Sequence, residues 1–165
     1  MTHTSSITSR RRRIAFVQAC WHRDIVDNCK AAFLSTMLEL GYRADDLHCF
    51  EVPGVFEIPL CLKRLIASEE FDAVVAAGLI VDGGIYRHEF VSTAVIDSLM
   101  QLQLQTGTPV ISAVLTPQRF HESDVHHAFF LEHFKVKGRE AAHACHQTLD
   151  TLQRVEASLT QRGTR

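Results

Sequence analysis

The sequence predicts a single α/β domain in which helices cover both faces of a four-stranded parallel sheet. Three observations indicate this fold class. The chain has 165 residues, which is enough for one domain with a substantial core. Four apolar, β-rich segments alternate with segments of helical periodicity. One of them, residues 73–81 (AVVAAGLIV), lacks polar alternation, as expected for a central strand that is buried on both faces.

The amino-terminal half contains two strand–helix units. Residues 13–19 (RIAFVQA) predict the first strand, and apolar residues at helical spacing predict a helix over residues 24–40 that ends before Gly41. Residues 47–52 (LHCFEV) predict the second strand, which ends at Pro53. Pro59 suits the first turn of the second helix, because proline is tolerated where the backbone N–H has no helical partner.

The carboxyl-terminal half repeats the pattern. Residues 73–81 predict the third strand, and a helix with Val91 and Leu102 on its apolar face follows and ends near Gly107. Residues 109–115 (PVISAVL) predict the fourth strand, and residues 120–158 predict helix with a break around residues 135–138 (KVKG). Right-handed crossovers then give a three-layer α/β/α sandwich of the flavodoxin-like type.

Composition limits the classes of function. Hydrophobic residues make up 46% of the chain and charged residues 22%, and no apolar run approaches the roughly 20 residues that span a bilayer. We expect a flexible basic arm over residues 1–12, the domain over residues 13–158 and a tail over residues 159–165. The segment after the arm is too short and polar for a signal peptide, so we expect a cytoplasmic protein. A net charge of −2 without a basic face predicts neither a nucleic-acid nor a membrane partner.

The cysteine and histidine patterns predict neither disulfides nor a metal site. Five cysteines are scattered without a C-x-x-C pair, mostly among apolar neighbours, as is typical of reduced buried thiols. Histidines are dense late in the chain, and His143 and His146 share a helix face. No H-E-x-x-H or comparable ligand set is present. We therefore interpret this face as solvated or as an intersubunit contact.

Four chemically rich segments follow the predicted strands. They read CWHRD, VPGVFEIP, DGGIYRHE and TPQRFHE, in chain order. Because the carboxyl ends of parallel strands share one edge of the sheet, and ligands bind in the crevice beyond that edge, we expect these segments to form a site.

The third segment is suited to an anion and a proton. Gly83 and Gly84 allow close approach of backbone N–H groups to a phosphate, although the two glycines alone favour the simpler interpretation of a tight turn that needs positive φ. His88 is a candidate acid or base near the start of a helix, or a helix-terminal histidine without catalytic role. Arg87 fits a bidentate phosphate contact or a surface ion pair.

The first two segments offer aromatic and carboxylate groups. Trp21, the one tryptophan of the chain, has a flat face that suits stacking on a heteroaromatic ring, or it covers the core. Phe56 and Glu57 follow a proline–glycine turn at a helix start. The carboxylate of Glu57 fits either a capping role or acceptance of hydrogen bonds from ligand hydroxyls.

Taken together, these segments resemble the lumazine synthase family over roughly residues 13–150. VPGVFEIP (52–59) is similar to the family's V-P-G-A-F-E-I-P, and FDAVVAAG (71–78) to its Y-D-A-V-I-A-L-G. PVISAVLT (109–116) resembles P-V-x-F-G-V-L-T, and KGREAA (137–142) resembles K-G-x-E-A-A. The glycine segment is similar to R-G-x-T-x-H-x-x-x-V, and its form suggests the divergent type II branch.

The resemblance implies the condensation of 5-amino-6-(D-ribitylamino)uracil with 3,4-dihydroxy-2-butanone 4-phosphate, without cofactor or metal. It implies that Trp21 replaces a phenylalanine that stacks on the pyrimidine, and that His88 transfers protons. The remaining implied contacts are the ribityl pocket at Val55, Phe56 and Glu57, the uracil edge at Leu79, Ile80 and Val81, and the phosphate at Gly83, Gly84 and Ile85.

This chain departs from the family pattern at three places. The family histidine lies four residues before its valine, where this chain has Arg87, while His88 lies three before Val91. An ungapped alignment therefore nominates Arg87 as the catalytic residue, whereas the chemistry of the side chains favours His88. Asp82 replaces an arginine ahead of the glycines, and Ser112 replaces a phenylalanine that a neighbouring subunit contributes. The family's phosphate-binding arginine near the start of the fourth helix has no counterpart. We expect Arg87, His126 or His127, together with Lys137, to supply that charge.

The resemblance also implies a homo-oligomer with active sites between subunits. The family forms pentamers, decamers or shells, and the absence of the shells' glycine-rich kink before the last helix favours a pentamer or a decamer. Two other functions fit the sequence: a catalytically weak or inactive binder of flavin or lumazine, and an assembly scaffold that uses its histidine-rich helix and arginine arm.

Overall fold

Four strands form one parallel sheet in a computed structural model that describes residues 11–82, 87–117 and 124–163. The strands are β1 (Ile14–Ala19), β2 (Leu47–Val52), β3 (Ala73–Leu79) and β4 (Val110–Leu115), in the spatial order β2-β1-β3-β4. Every neighbouring pair is parallel, and Val17 pairs with Phe50 on one side and Ala76 on the other. The predicted α/β class with a four-stranded parallel sheet is confirmed.

The sheet is connected by α1 (Arg23–Glu39), α2 (Ile58–Ala67), α3 (His88–Thr106) and α4 (Asp124–Gly163). Short 3₁₀ turns occupy Ala44–Asp46 and Val55–Glu57. Gly107 adopts φ of 71° at the end of α3, the left-handed conformation that glycine adopts at low cost, so the predicted helix end is confirmed.

Alternate residues of β1 face two separate cores. Ile14 and Phe16 pack with α1 and α4, whereas Ala15 and Val17 pack with α2 and α3. This division is what a strand with a period of two produces when helices cover both faces. The molecule therefore has the predicted three layers, with β1 and β3 in the middle of the sheet and β2 and β4 at its edges.

We expected an interruption of the last helix around residues 135–138. This prediction is wrong, because α4 is continuous there. Gly138 lies where α4 crosses α1. A β-carbon at this position would lie 2.3 Å from the carbonyl oxygen of Cys29 and 2.9 Å from the β-carbon of Ala32. The glycine therefore allows two helices to approach closely and does not interrupt one of them.

The carboxyl-terminal part of α4 extends past the core. Leu149 is the last buried residue among those whose burial the structure describes, and residues 151–161 are all exposed. The helix continues through most of the segment that we expected to be a tail, while residues 1–10 of the expected arm lie outside the described residues. Within the part of the chain that the structure describes, no helix has the length and apolarity to cross a membrane.

Candidate active site

The carboxyl ends of β1 and β2 are joined by a backbone hydrogen bond. The N–H of Cys20 donates to the carbonyl oxygen of Val52 over 2.9 Å, and the N–H of Ile80 donates to Leu115 over 2.9 Å at the other half of the sheet. These bonds extend the ladders just beyond the strands. They therefore fix the positions at which the four candidate site segments leave the sheet.

Trp21 lies at the end of β1 with 66% of its surface exposed. Its neighbour His22 has φ of 53° and ψ of 42°, in the left-handed region, and caps the start of α1. A non-glycine residue in this region costs about 1 kcal/mol or more. The indole is close to the second segment, since a β-carbon on Gly54 would lie 4.0 Å from Cε2 of Trp21.

The second segment forms a compact turn whose carboxylate bonds to its own backbone. Oε2 of Glu57 accepts a hydrogen bond from the N–H of Gly54 over 2.9 Å. The capping role that we considered is therefore present. A carboxylate has about four acceptor positions, and Glu57 is exposed, so it retains capacity for a ligand hydroxyl. Phe56 is 66% exposed beside it, while Val55 is buried against Gly78 of β3.

The third segment is described on both sides of the glycine loop. Leu79 and Ile80 are buried and Val81 is partly buried. Gly83, Gly84 and Ile85, the predicted phosphate-binding residues, lie outside the described residues. Two titratable side chains that follow the loop are described, and they differ in their surroundings.

Arg87 is exposed at the N-cap of α3, and its guanidinium carbon lies 4.4 Å from the ring centroid of Phe90. His88 is the first residue of α3, and 16% of its side chain is exposed. Its Nδ1 lies 3.7 Å from Oε2 of Glu89. The imidazole is thus largely enclosed at the helix start, whereas the guanidinium packs on an exposed aromatic ring.

Ser112 lies within β4 and not at its end. It pairs with Ala76 of β3, which in turn pairs with Val17 of β1. β3 therefore lies between Ser112 and β1, with roughly 4.8 Å between neighbouring strands, and Trp21 lies two residues beyond the carboxyl end of β1. A single protomer therefore does not bring Ser112 to Trp21.

The basic residues of α4 are also spread out. Nε2 of His127 contacts a carboxylate oxygen of Asp24, in the first turn of α1. Lys137 lies ten residues later, roughly 15 Å along the helix, and its Nζ donates to Glu140 over 2.8 Å. His126 is partly exposed next to His127. The histidines and Lys137 do not converge on one point within a protomer.

A polar network that the sequence did not indicate surrounds the start of α1. Nη2 of Arg23 donates to Glu51 of β2 over 2.6 Å, and Nε2 of the buried Gln18 donates to Asp27 over 2.8 Å. The bond from Gln18 is the main reason that the pKa of Asp27 is below its ordinary value, and Lys30 acts in the same direction. No sequence signal marked these residues, because their pairing depends on how α1 lies over the sheet.

Among residues 11–82, 87–117 and 124–163, no three histidine, cysteine, aspartate or glutamate side chains are grouped so that they could hold a metal ion. The buried thiols of Cys29 and Cys145 have pKa values raised to about 12, mainly by burial, so they are protonated at neutral pH.

Comparison with known proteins identifies relatives across nearly the whole chain. Residues 11–153 match the family model described as 6,7-dimethyl-8-ribityllumazine synthase. A protein of that name from Rhodococcus erythropolis is 54% identical over 147 residues, which cover 89% of this chain and 95% of that protein.

Two further relatives carry the name 6,7-dimethyl-8-ribityllumazine synthase 2. The one from Bradyrhizobium diazoefficiens is 52% identical over 92% of this chain and 90% of its own length. The one from Pseudomonas syringae pv. tomato is 50% identical over 88% of this chain and 87% of its own length.

Proposed function

The chain belongs to the 6,7-dimethyl-8-ribityllumazine synthase family, and we infer from this membership that it is a transferase of riboflavin biosynthesis. It condenses 5-amino-6-(D-ribitylamino)uracil with 3,4-dihydroxy-2-butanone 4-phosphate to 6,7-dimethyl-8-ribityllumazine, phosphate and water. The observation that carries this conclusion is the family match over residues 11–153, which includes all four strand ends. Relatives named as synthases at 50–54% identity do not favour an inactive flavin or lumazine binder.

The pyrimidine and its ribityl chain are assigned to the ends of β1, β2 and β3. The exposed indole of Trp21 stacks on the pyrimidine, and Glu57 accepts hydrogen bonds from ribityl hydroxyls next to Val55 and Phe56. The backbone of Leu79, Ile80 and Val81 faces the uracil edge. The proximity of Trp21 and Glu57 to Gly54 supports a shared pocket for ring and ribityl chain.

The phosphorylated substrate is assigned to the glycine loop and to the first turn of α3. Backbone N–H groups of Gly83, Gly84 and Ile85 bind the phosphate, with the helix start adding partial positive charge. The pyrimidine amine attacks the butanone carbonyl, water leaves as the imine forms, phosphate is eliminated, and the ring closes. His88 exchanges the protons of these steps. Holding both substrates in reactive geometry supplies most of the acceleration, and the histidine contributes about 10²-fold.

The site is completed by a neighbouring copy of the chain in a homopentamer or a decamer. β3 separates Ser112 from β1, and Lys137 lies roughly 15 Å along α4 from His127, which itself contacts Asp24 close to Trp21. Since Ser112, Lys137 and the two histidines do not converge in one protomer, their spread supports a contribution to a neighbour's site. Several large apolar side chains on α2, α3 and the preceding turn are exposed, as a protein interface requires. They are Phe56, Leu60, Phe90, Met100 and Leu104.

The activity is tested by mixing both substrates with the protein and recording lumazine fluorescence. We expect turnover above the uncatalysed background and a partial loss, about 10²-fold at most, in His88→Ala. His143→Ala, which removes an exposed imidazole of α4, is the matched control and retains full activity. A His88→Ala enzyme with full activity would remove His88 from the mechanism, and a wild-type chain without turnover would contradict the function.

The shared site is tested by subunit mixing. Trp21→Ala and Lys137→Ala impair opposite halves of one composite site, so co-expressed chains form some sites in which both halves are intact. Activity above that of either variant alone supports an interface site. Sedimentation should give five or ten times the 18.6 kDa chain mass, and an active monomer would contradict the composite site.

A further inference from the structure

Trp21 lies between two residues whose backbone positions are fixed. Before it, the N–H of Cys20 donates to Val52. After it, the carbonyl oxygen of His22 accepts hydrogen bonds from the N–H groups of Ile25 and Val26, both over 3.0 Å, which begins α1. Residues 20–22 therefore form a corner between β1 and α1 in which the residues before and after Trp21 are both held by backbone hydrogen bonds.

The corner itself depends on the left-handed backbone of His22. With φ of 53°, His22 is the last of the three residues that turn the chain from the end of β1 into α1. Histidine, asparagine and aspartate enter this region more readily than other non-glycine residues, and β-branched residues are the least tolerated. In the described residues, Glu69 is the one other non-glycine residue with positive φ.

The structure on both sides stabilises this conformation. The first turn of α1 is bonded to β2 through Arg23 and Glu51 over 2.6 Å. The next turn is bonded to β1 through Asp27 and Gln18 over 2.8 Å. Since α1 cannot shift freely over the strands, a change of backbone conformation at residue 22 would be absorbed by its neighbour Trp21.

We propose that His22 is a positioning residue, whose left-handed backbone fixes the indole of Trp21 where it stacks on the pyrimidine substrate. This inference rests on the proposed function. The role belongs to the backbone conformation and not to the imidazole. A ring that is already in place loses less conformational freedom when the substrate binds, so the effect is on affinity for the pyrimidine.

The test compares substitutions that tolerate φ above zero with one that does not. His22→Gly and His22→Asn should keep the KM for the pyrimidine substrate within about twofold of wild type. His22→Val should raise that KM about tenfold, while the KM for the phosphorylated substrate changes less than about twofold. If His22→Val does not fold, His22→Ala replaces it in the test, because alanine also disfavours positive φ but less strongly than valine.

Tryptophan fluorescence provides a readout that does not require turnover. Trp21 is the one tryptophan, so quenching of its emission by added 6,7-dimethyl-8-ribityllumazine reports its place in the site. The apparent Kd from quenching should rise in His22→Val by the same factor as the KM. Glu69→Val is the matched control, because it forces a β-branched residue into φ of 57° and should lower stability without changing quenching.

Three outcomes would overturn the proposal. A folded His22→Val or His22→Ala protein with wild-type KM and quenching would show that the corner does not position the indole. Losses in His22→Gly or His22→Asn as large as in His22→Val would assign the role to the imidazole. An indole that lumazine does not quench in the wild type would remove Trp21 from the site. Absent turnover with intact quenching would contradict the proposed function alone.

Discussion

Cγ1 of Val55 lies over Gly78, at 2.5 Å from the place that a β-carbon on the glycine would occupy. Gly78 is the sixth residue of β3, and Val55 begins the turn that contains Phe56 and Glu57. The turn that carries the proposed ribityl contacts therefore lies directly on the third strand, with no space for another carbon atom between them.

Gly78→Ala should consequently disturb both stability and substrate binding. The added methyl forces Val55 away, which we expect to lower the free energy of unfolding by about 1–3 kcal/mol. The same displacement moves Glu57 and should raise the KM for the pyrimidine substrate. Urea unfolding and the lumazine assay measure the two effects. In the double variant with Val55→Ala the overlap is relieved, so simple additivity of the two single losses would contradict this explanation.

Arg87→Ala should raise the KM for the phosphorylated substrate selectively. A guanidinium–phosphate contact is a charge-assisted hydrogen bond, and its loss corresponds to about a tenfold change. Arg87→Lys keeps the positive charge but lacks the planar guanidinium group. Its KM for the phosphorylated substrate should therefore lie between those of the wild type and Arg87→Ala. Arg64→Ala removes an exposed arginine of α2 and serves as the control. An unchanged KM in Arg87→Ala would exclude Arg87 from the phosphate site.

Asp27→Asn should destabilise the protein in a pH-dependent way. The pKa of Asp27 is below its ordinary value of 3.8, chiefly because Gln18 donates to the carboxylate. A group whose folded pKa is lowered stabilises the fold above its unfolded pKa, and this stabilisation is lost as the pH falls through the folded pKa. The difference in free energy of unfolding between Asp27→Asn and the wild type should therefore be present at about pH 7 and shrink below about pH 4. Urea unfolding of both proteins between about pH 7 and pH 3 measures this difference. A difference in stability that does not change with pH would show that the charge of Asp27 is not its cause.

Gly138→Ala should destabilise the fold although it improves helix propensity. In an exposed helix the substitution stabilises by about 1 kcal/mol. Here the β-carbon would overlap the carbonyl oxygen of Cys29, so we expect a loss of about 1–3 kcal/mol as α1 and α4 separate. The reverse substitution Ala144→Gly, at an exposed position of α4, should cost about the propensity difference alone. A stabilised Gly138→Ala protein would show that the two helices can separate at no cost.

The strands and helices could be predicted because their apolar periodicity is strong. Residues 47–52 were predicted as a strand and form β2, and the two glycines at positions 41 and 107 follow helix ends, with φ of 91° and 71°. Gly138 could not be interpreted correctly, because a glycine in a helical pattern indicates either an interruption or a close contact. Only the crossing of α1 and α4 distinguishes the two.

The positions of the candidate site residues in the fold were predictable where they depend on strand ends and not where they depend on packing. Trp21 and Glu57 lie near Gly54 because parallel strands end at one edge. The distance of Ser112 from that edge follows from the register of β4, and the spread of His127 and Lys137 follows from the course of α4. The left-handed conformation of His22 has no sequence marker beyond a residue type that tolerates it.

At the exposed end of α4, effects of substitutions on association between chains can be distinguished from effects on folding of the protomer. Residues 151–161 are exposed in the protomer, and Leu152, Val155 and Leu159 are apolar residues among them. Substitutions of these three side chains leave the core of the protomer intact. If the chains form the proposed oligomer, substitutions here should change sedimentation through association between chains and not through folding of the protomer.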